Sequence, residues 1–178
     1  MRALAVAFLC LVGGCGYHSV YAAGPQGKLH VKVVRSLVPD AVAADEVASG
    51  VREELARAGA LEAGEGYPRV EIEVLRGDEA SEGIAAGASG PVARGTGVGV
   101  VARAWVVAAA DATPQGDTGD MRAEESIAVD ETGGIGGPDP RATGFHHADA
   151  SRAAARRLGR KLGARLLGQP SASEDTEH

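Results

Sequence analysis

The amino-acid sequence predicts an α+β fold: a two-layer sandwich with a mainly antiparallel four-stranded sheet and two helices on one face. Three observations lead there. Apolar residues alternate with polar ones in several short runs, the signature of half-buried strands. In two other stretches apolar residues recur every four positions, as on one face of a helix. These runs follow one another as strand, helix, strand, strand, strand, helix.

The first element is a leader. Met1 and Arg2 form a short positive start, followed by the apolar run Ala3 to Val12. About ten apolar residues are too few to span a bilayer, which takes roughly 20. A charged start, a short apolar run and small residues before a cut describe a secretory signal. The stretch Leu11-Val12-Gly13-Gly14-Cys15 resembles a bacterial lipobox, with cleavage before a lipidated cysteine. The alternative is an ordinary signal peptide with an incidental Cys15. The expected layout is a signal peptide over 1–14, a lipidated tether over 15–27, an α+β domain over 28–168 and a disordered acidic tail over 169–178.

Lys28 to Val34 alternates, placing Leu29, Val31 and Val33 on one face and His30 and Lys32 on the other. Asp40 is suited to cap a helix reaching Ala58, with Val47, Val51 and Leu55 stacked at i, i+4 and Gly59 as its stop. Glu53 and Arg57 are expected to pair on its outer side. Arg69 to Leu75 puts Val70, Ile72 and Val74 inward and Arg69, Glu71 and Glu73 outward. Gly77 to Pro91 has no periodicity and reads as a loop. The next strand starts near Arg94. Gly95, Gly97 and Gly99 share a face with Arg103 and Trp105, opposite Val98, Val100, Ala102, Ala104 and Val106. Asp111 to Asp120 has hairpin-type residues. Met121 to Val129 alternates more weakly, because Glu125 interrupts the apolar face. That is expected of an edge strand, where an inward charge discourages aggregation. Glu131 to Phe145 reads as a second loop. Asp149 or Ser151 can cap a last helix to about Leu167, with the apolar stripe Leu158, Leu162 and Leu166.

Composition narrows the function. The formal net charge is −6, which gives no bulk reason to expect nucleic acid as a partner. The two cysteines are Cys10, inside the leader, and Cys15, so neither a disulfide framework nor a cysteine zinc site can be built. Aromatics make up 3%, so the core must be aliphatic. The abundant Gly and Ala are expected to carry little functional weight.

Candidate chemistry is sparse. Glu71 and Glu73 at i, i+2 could do acid/base work, but no His, Asp or nucleophile lies near them in sequence, and a solvated sheet face explains them. Gly95, Gly97 and Gly99 lack the strand, turn and helix context of a dinucleotide loop; alternate glycines instead suit a strand that something approaches closely. Trp105 reads as a packing residue rather than a ligand platform, and His30 as a solvent-side strand residue. His146 and His147 are adjacent, so they diverge on any regular element, and no metal or cofactor is expected. Arg152, Arg156, Arg157, Arg160, Lys161 and Arg165 make the last helix basic. It could face anionic headgroups, or it could simply be the solvated side of a helix packed on the sheet.

Cys15-Gly16-Tyr17-His18, the order of elements, the first helix ending Val51 to Gly59 and the last helix from Ser151 to Leu162 together resemble the LPS-assembly lipoprotein (LptE) family. That resemblance implies a non-enzymatic outer-membrane lipoprotein on the periplasmic side. Such a protein plugs a large outer-membrane β-barrel translocon (LptD-like), helps it assemble, and binds lipopolysaccharide through basic loop residues. The basic residues at the matching positions are Arg94 and Arg141. Gly16 after Cys15, rather than Asp, fits sorting to the outer membrane. Two other classes stay open: another periplasmic lipoprotein adaptor, regulating cell-wall synthesis or secretion, and an enzyme, for which no catalytic constellation is visible.

Overall fold

In the computed structural model, residues 27–82, 86–87, 90–91, 95–127 and 140–169 are described. Alternation and pairing produce the strands β1 (His30–Ser36), β2 (Arg69–Glu82), β3 (Ala86–Gly87), β4 (Gly90–Pro91), β5 (Gly95–Val107) and β6 (Met121–Ile127). The helices are α1 (Ala41–Arg57) and α2 (Pro140–Leu166). The main sheet has the order β1-β2-β5-β6, and β3 pairs with β4 in a two-stranded extension. β2, β5 and β6 run antiparallel, whereas β1 lies parallel to β2 because α1 carries the chain back between them. The expected α+β sandwich is therefore present, with a mixed sheet.

Asp40 caps α1 through a bond from Val42 N to its Oδ1 (2.9 Å). Val47, Val51 and Leu55 of α1, and Leu158 and Leu162 of α2, are fully buried against Val70, Ile72, Val74 and Val100. Each such side chain contributes about 1.5–3 kcal/mol by leaving water. No aromatic residue belongs to this core.

The helices run side by side in the same direction: Glu46 meets Arg156, Gly50 meets Gly159 and Glu54 meets Gly163. Their backbones touch. A Cβ on Gly159 would lie 2.1 Å from the Val47 carbonyl oxygen, and one on Gly50 would lie 2.2 Å from that of Arg156. Gly50 and Gly159 therefore carry structural weight, because only a missing side chain lets the two axes come this close.

Two boundaries and one register differ from expectation. β2 does not stop at Leu75; it pairs with β5 through Glu82↔Gly95, since a ladder propagates through the backbone and needs no apolar pattern. The register shifts between Val74 and Arg76, so the residues past this bulge change faces: Val74 opposes Ala102 but Gly77 opposes Val100. α2 begins at Pro140, not at Asp149 or Ser151. Proline is tolerated in a first helical turn, where its missing N–H has no partner to lose. α2 thus overshoots the start of α1 by roughly ten residues, about 15 Å at 1.5 Å per residue. Under that overhang Ala150 packs with Val98 and Ile127 in a second, smaller cluster.

Both sheet edges are guarded from the helix layer. Arg52 of α1 donates to the Val31 carbonyl on β1 (3.4 Å), and Arg157 of α2 donates to the Glu124 carbonyl on β6 (3.1 Å). Glu125, the charge that interrupts the β6 pattern, does point inward and forms an ion pair with Arg157. The edge reading of β6 is correct.

Candidate functional site: the outer face of the sheet

The helices cover one face of the sheet and leave the other open. Register places the open face in rows across three strands: Lys32, Glu71 and Trp105, then Arg35, Glu73 and Arg103. The next row across β2, β5 and β6 is Arg76, Val101 and Arg122. The expected polar face is therefore real, but it is not a loosely solvated one.

Glu73 is only 5% exposed. Its Oε2 accepts from Arg103 Nε (2.9 Å) and Nη2 (2.6 Å), and its Oε1 accepts from Arg35 Nη1 (3.3 Å). A carboxylate taken out of water needs such partners to stay charged. The Glu73 hydrogen bond and charge, in that order, hold the Arg103 guanidinium above its usual pKa, against the opposing cost of desolvation and with smaller support from Asp120 and Asp117. In the neighbouring row, Trp105 Nε1 donates to Glu71 Oε2 (3.0 Å), and Arg69 Nε donates to Glu71 Oε1 (2.9 Å). Arg69 stacks on Tyr67 at 4.2 Å and Arg103 on Trp105 at 5.6 Å. Both acids are thus committed to cations and an indole. Trp105 is half-buried and anchored, as its reading as a packing residue requires.

The alternate glycines of β5 find their cause at Gly99. The Arg122 guanidinium lies across it, and an added Cβ would meet Nη2 at 2.8 Å. Arg122 also reaches Asp78 (3.5 Å) and Glu124. His30 sits on the outer side of β1, as expected, but it also closes the loop before β2: its Nδ1 lies 3.2 Å from the Gly64 carbonyl and its ring packs against Gly66.

The basic side of α2 is largely neutralised by its neighbours. Arg156 pairs with Glu46 (2.9 Å) and Glu53 (3.4 Å), Arg160 with Glu53 (3.6 Å), and Arg152 with Asp149 (2.9 Å). The expected Glu53–Arg57 pair is replaced: Arg57 takes Glu54 at 2.6 Å, freeing Glu53 for α2. Tertiary contact won over the local i, i+4 option. The solvated-helix reading of this surface therefore fits better than an open cationic stripe.

Of the sequence-assigned site residues, Cys15 and Arg94 lie outside the described residues. Arg141 is the second residue of α2 rather than a loop residue; the described side chains of α2 begin at Phe145. His146 and His147 lie in α2 too, not beyond a loop. Among the described residues no three His, Cys, Asp or Glu side chains gather where they could hold a metal ion. No helix among them is long and apolar enough to cross a membrane.

No protein-family model matches the chain, and no curated protein matches it. Solved structures do. A minor lipoprotein from Acinetobacter baumannii is similar at TM-score 0.50 and 9% identity, over 81% of this chain and 94% of that one. A proposed lipoprotein from Caulobacter crescentus CB15 is similar at TM-score 0.49 and 12% identity, over 75% and 86%. An uncharacterized lipoprotein B from Nitrosomonas europaea gives TM-score 0.37 and 13% identity, over 87% and 92%. At these identities the likeness is one of fold.

Proposed function

We propose that the chain is an outer-membrane lipoprotein, anchored through Cys15, that plugs and helps assemble a β-barrel delivering lipopolysaccharide to the cell surface. The observation that carries the reading is the lipobox-like run into Cys15 ahead of a domain whose fold is shared with a minor lipoprotein of Acinetobacter baumannii. The fixed ion pairs of the outer sheet face support a binding role over a catalytic one. Two acyl chains would make the anchoring stable where a single chain would not. On this reading Arg94 and Arg141 contact lipopolysaccharide phosphates, for which the forked guanidinium is well matched.

The first test is an affinity capture of the tagged, lipidated protein from a mild-detergent envelope extract. A stoichiometric large β-barrel among the captured proteins is expected. Capture of only cell-wall or secretion components would favour the general adaptor instead. Separately, Cys15→Ala should release the protein from membrane fractions. Arg94→Ala with Arg141→Ala should weaken lipopolysaccharide binding, and unchanged binding would remove those two residues from the proposal.

A further inference from the structure

In the row of Arg35, Glu73 and Arg103 the outer sheet face hides its acid and displays its cations. The Glu73 side chain is 6% exposed, while the side chains of the two arginines bonded to it are 64% (Arg35) and 41% (Arg103) exposed. Among the described residues the only acceptor bound to either guanidinium is that buried carboxylate. Arg103 uses Nε and Nη2 on Glu73 and rests over Trp105, while Arg35 uses only Nη1. The face therefore offers two partly exposed guanidiniums, each with N–H groups left for a further carboxylate.

We infer that this face docks a protein partner whose surface presents Asp or Glu carboxylates to Arg35 and Arg103. The pattern around the guanidiniums selects a protein over a lipid surface. Asp78 and Glu124 lie further along the same face, and Asp117 and Asp120 lie close enough to Arg103 to act on its charge. A uniformly anionic bilayer would meet those acids as well as the cations. A protein surface can set acids against the arginines and basic or neutral groups against the acids. Trp105, Tyr67 and the arginines are also the residue types that dominate binding energy at protein interfaces. Each edge strand of the main sheet has one carbonyl taken by a helix arginine, which makes edge pairing a poorer route to association. This inference rests on the reading of the chain as a binding protein, but not on the identity of the barrel.

The test places a photo-crosslinking amino acid in the full-length lipidated protein in cells. Lys32 and Arg76 are replaced one at a time, since they sit in the outer-face rows on either side of Arg35, Glu73 and Arg103, with Ala153 on the exposed side of α2 as the control. Adducts are mapped by mass spectrometry in the parent and in Arg35→Gln plus Arg103→Gln. Far-UV circular dichroism and urea unfolding report whether each variant keeps its fold. The expected result is protein adducts from Lys32 and Arg76 on partner segments containing Asp or Glu, falling at least about tenfold in the double variant. Should the double variant unfold, each single Gln substitution takes its place. Adducts from Ala153 alone, adducts to lipid or to another copy of the chain, adducts unaffected by the Gln substitutions, or none at all would overturn it. A captured protein other than a β-barrel, crosslinked through acidic segments at this face, would uphold the docking surface while removing the barrel reading.

Discussion

The two faces of the sheet are held by different physics. On the inner face, helices with almost no large side chains at their crossing bring backbone against backbone at Gly50 and Gly159. Aliphatic residues from all four strands of the main sheet fill the space beneath. On the outer face, cohesion comes from charged side chains laid in rows, with Glu73 and Glu71 as the acceptors. The inner face depends on volume, because close packing leaves no slack for a methyl group added or removed. The outer face depends on charge, and Glu73 is its buried charged group. A surface that must stay ordered while remaining open to a partner is better built the second way, since its order does not require another layer on top.

Several substitutions would break or sharpen this contrast. The largest effect is expected at Leu162→Ala, which removes a fully buried side chain from the core. A loss of about 2–5 kcal/mol in urea unfolding should follow. A loss under about 1 kcal/mol would mean that the inner face can collapse around the gap. Gly159→Ala should cost about 1–3 kcal/mol through overpacking, even though alanine is the better helix former. The added methyl would sit 2.1 Å from a backbone oxygen that cannot swing aside. If Gly159→Ala is neutral or stabilising, the helices are not in backbone contact.

Glu73→Ala comes next. It leaves Arg35 and Arg103 without their shared acceptor, but both remain partly in water, so the cost should be about 1–2 kcal/mol rather than that of a fully buried pair. Repeating the unfolding in 1 M salt sharpens the contrast: the Glu73 penalty should shrink, whereas the Leu162 and Gly159 penalties should not. Equal salt response at the two faces would refute the division. The smallest effect is Arg156→Ala, an exposed pair with Glu46 and Glu53, at less than about 1 kcal/mol.

Much of the fold was readable before any coordinates, where the signal is local. The Asp40 cap, the Val47-Val51-Leu55 stripe and the alternation of Arg69 to Leu75 each describe a short segment that must bury one side, and all three are found as expected. The length of β2 was not readable, because its second half is held by backbone pairing to β5 among residues with no pattern of their own. The early start of α2 was obscured by Pro140 and Gly144, which look like loop residues out of context. The outer-face site was half legible. Arg69, Glu71, Glu73 and Arg103 were placed on one face from periodicity, and Gly99 was marked as a point of close approach. That Arg122 makes that approach, that Arg35 joins the row, and that Glu73 is buried follow from register across strands distant in sequence.

The sequence by itself therefore determined the types and order of the main elements and the aliphatic core, since each follows from residue type and spacing along one segment. Only the tertiary structure decided which glycines are contact points, which carboxylates lose water and which arginines are spent on a neighbour. Those properties belong to pairs of residues. Arg156 and Arg103 are the same side chain, yet one is paired with two acids of α1 while the other sets two donors on a single buried acid. Nothing within a residue's own segment encodes what the opposite element will bring to it.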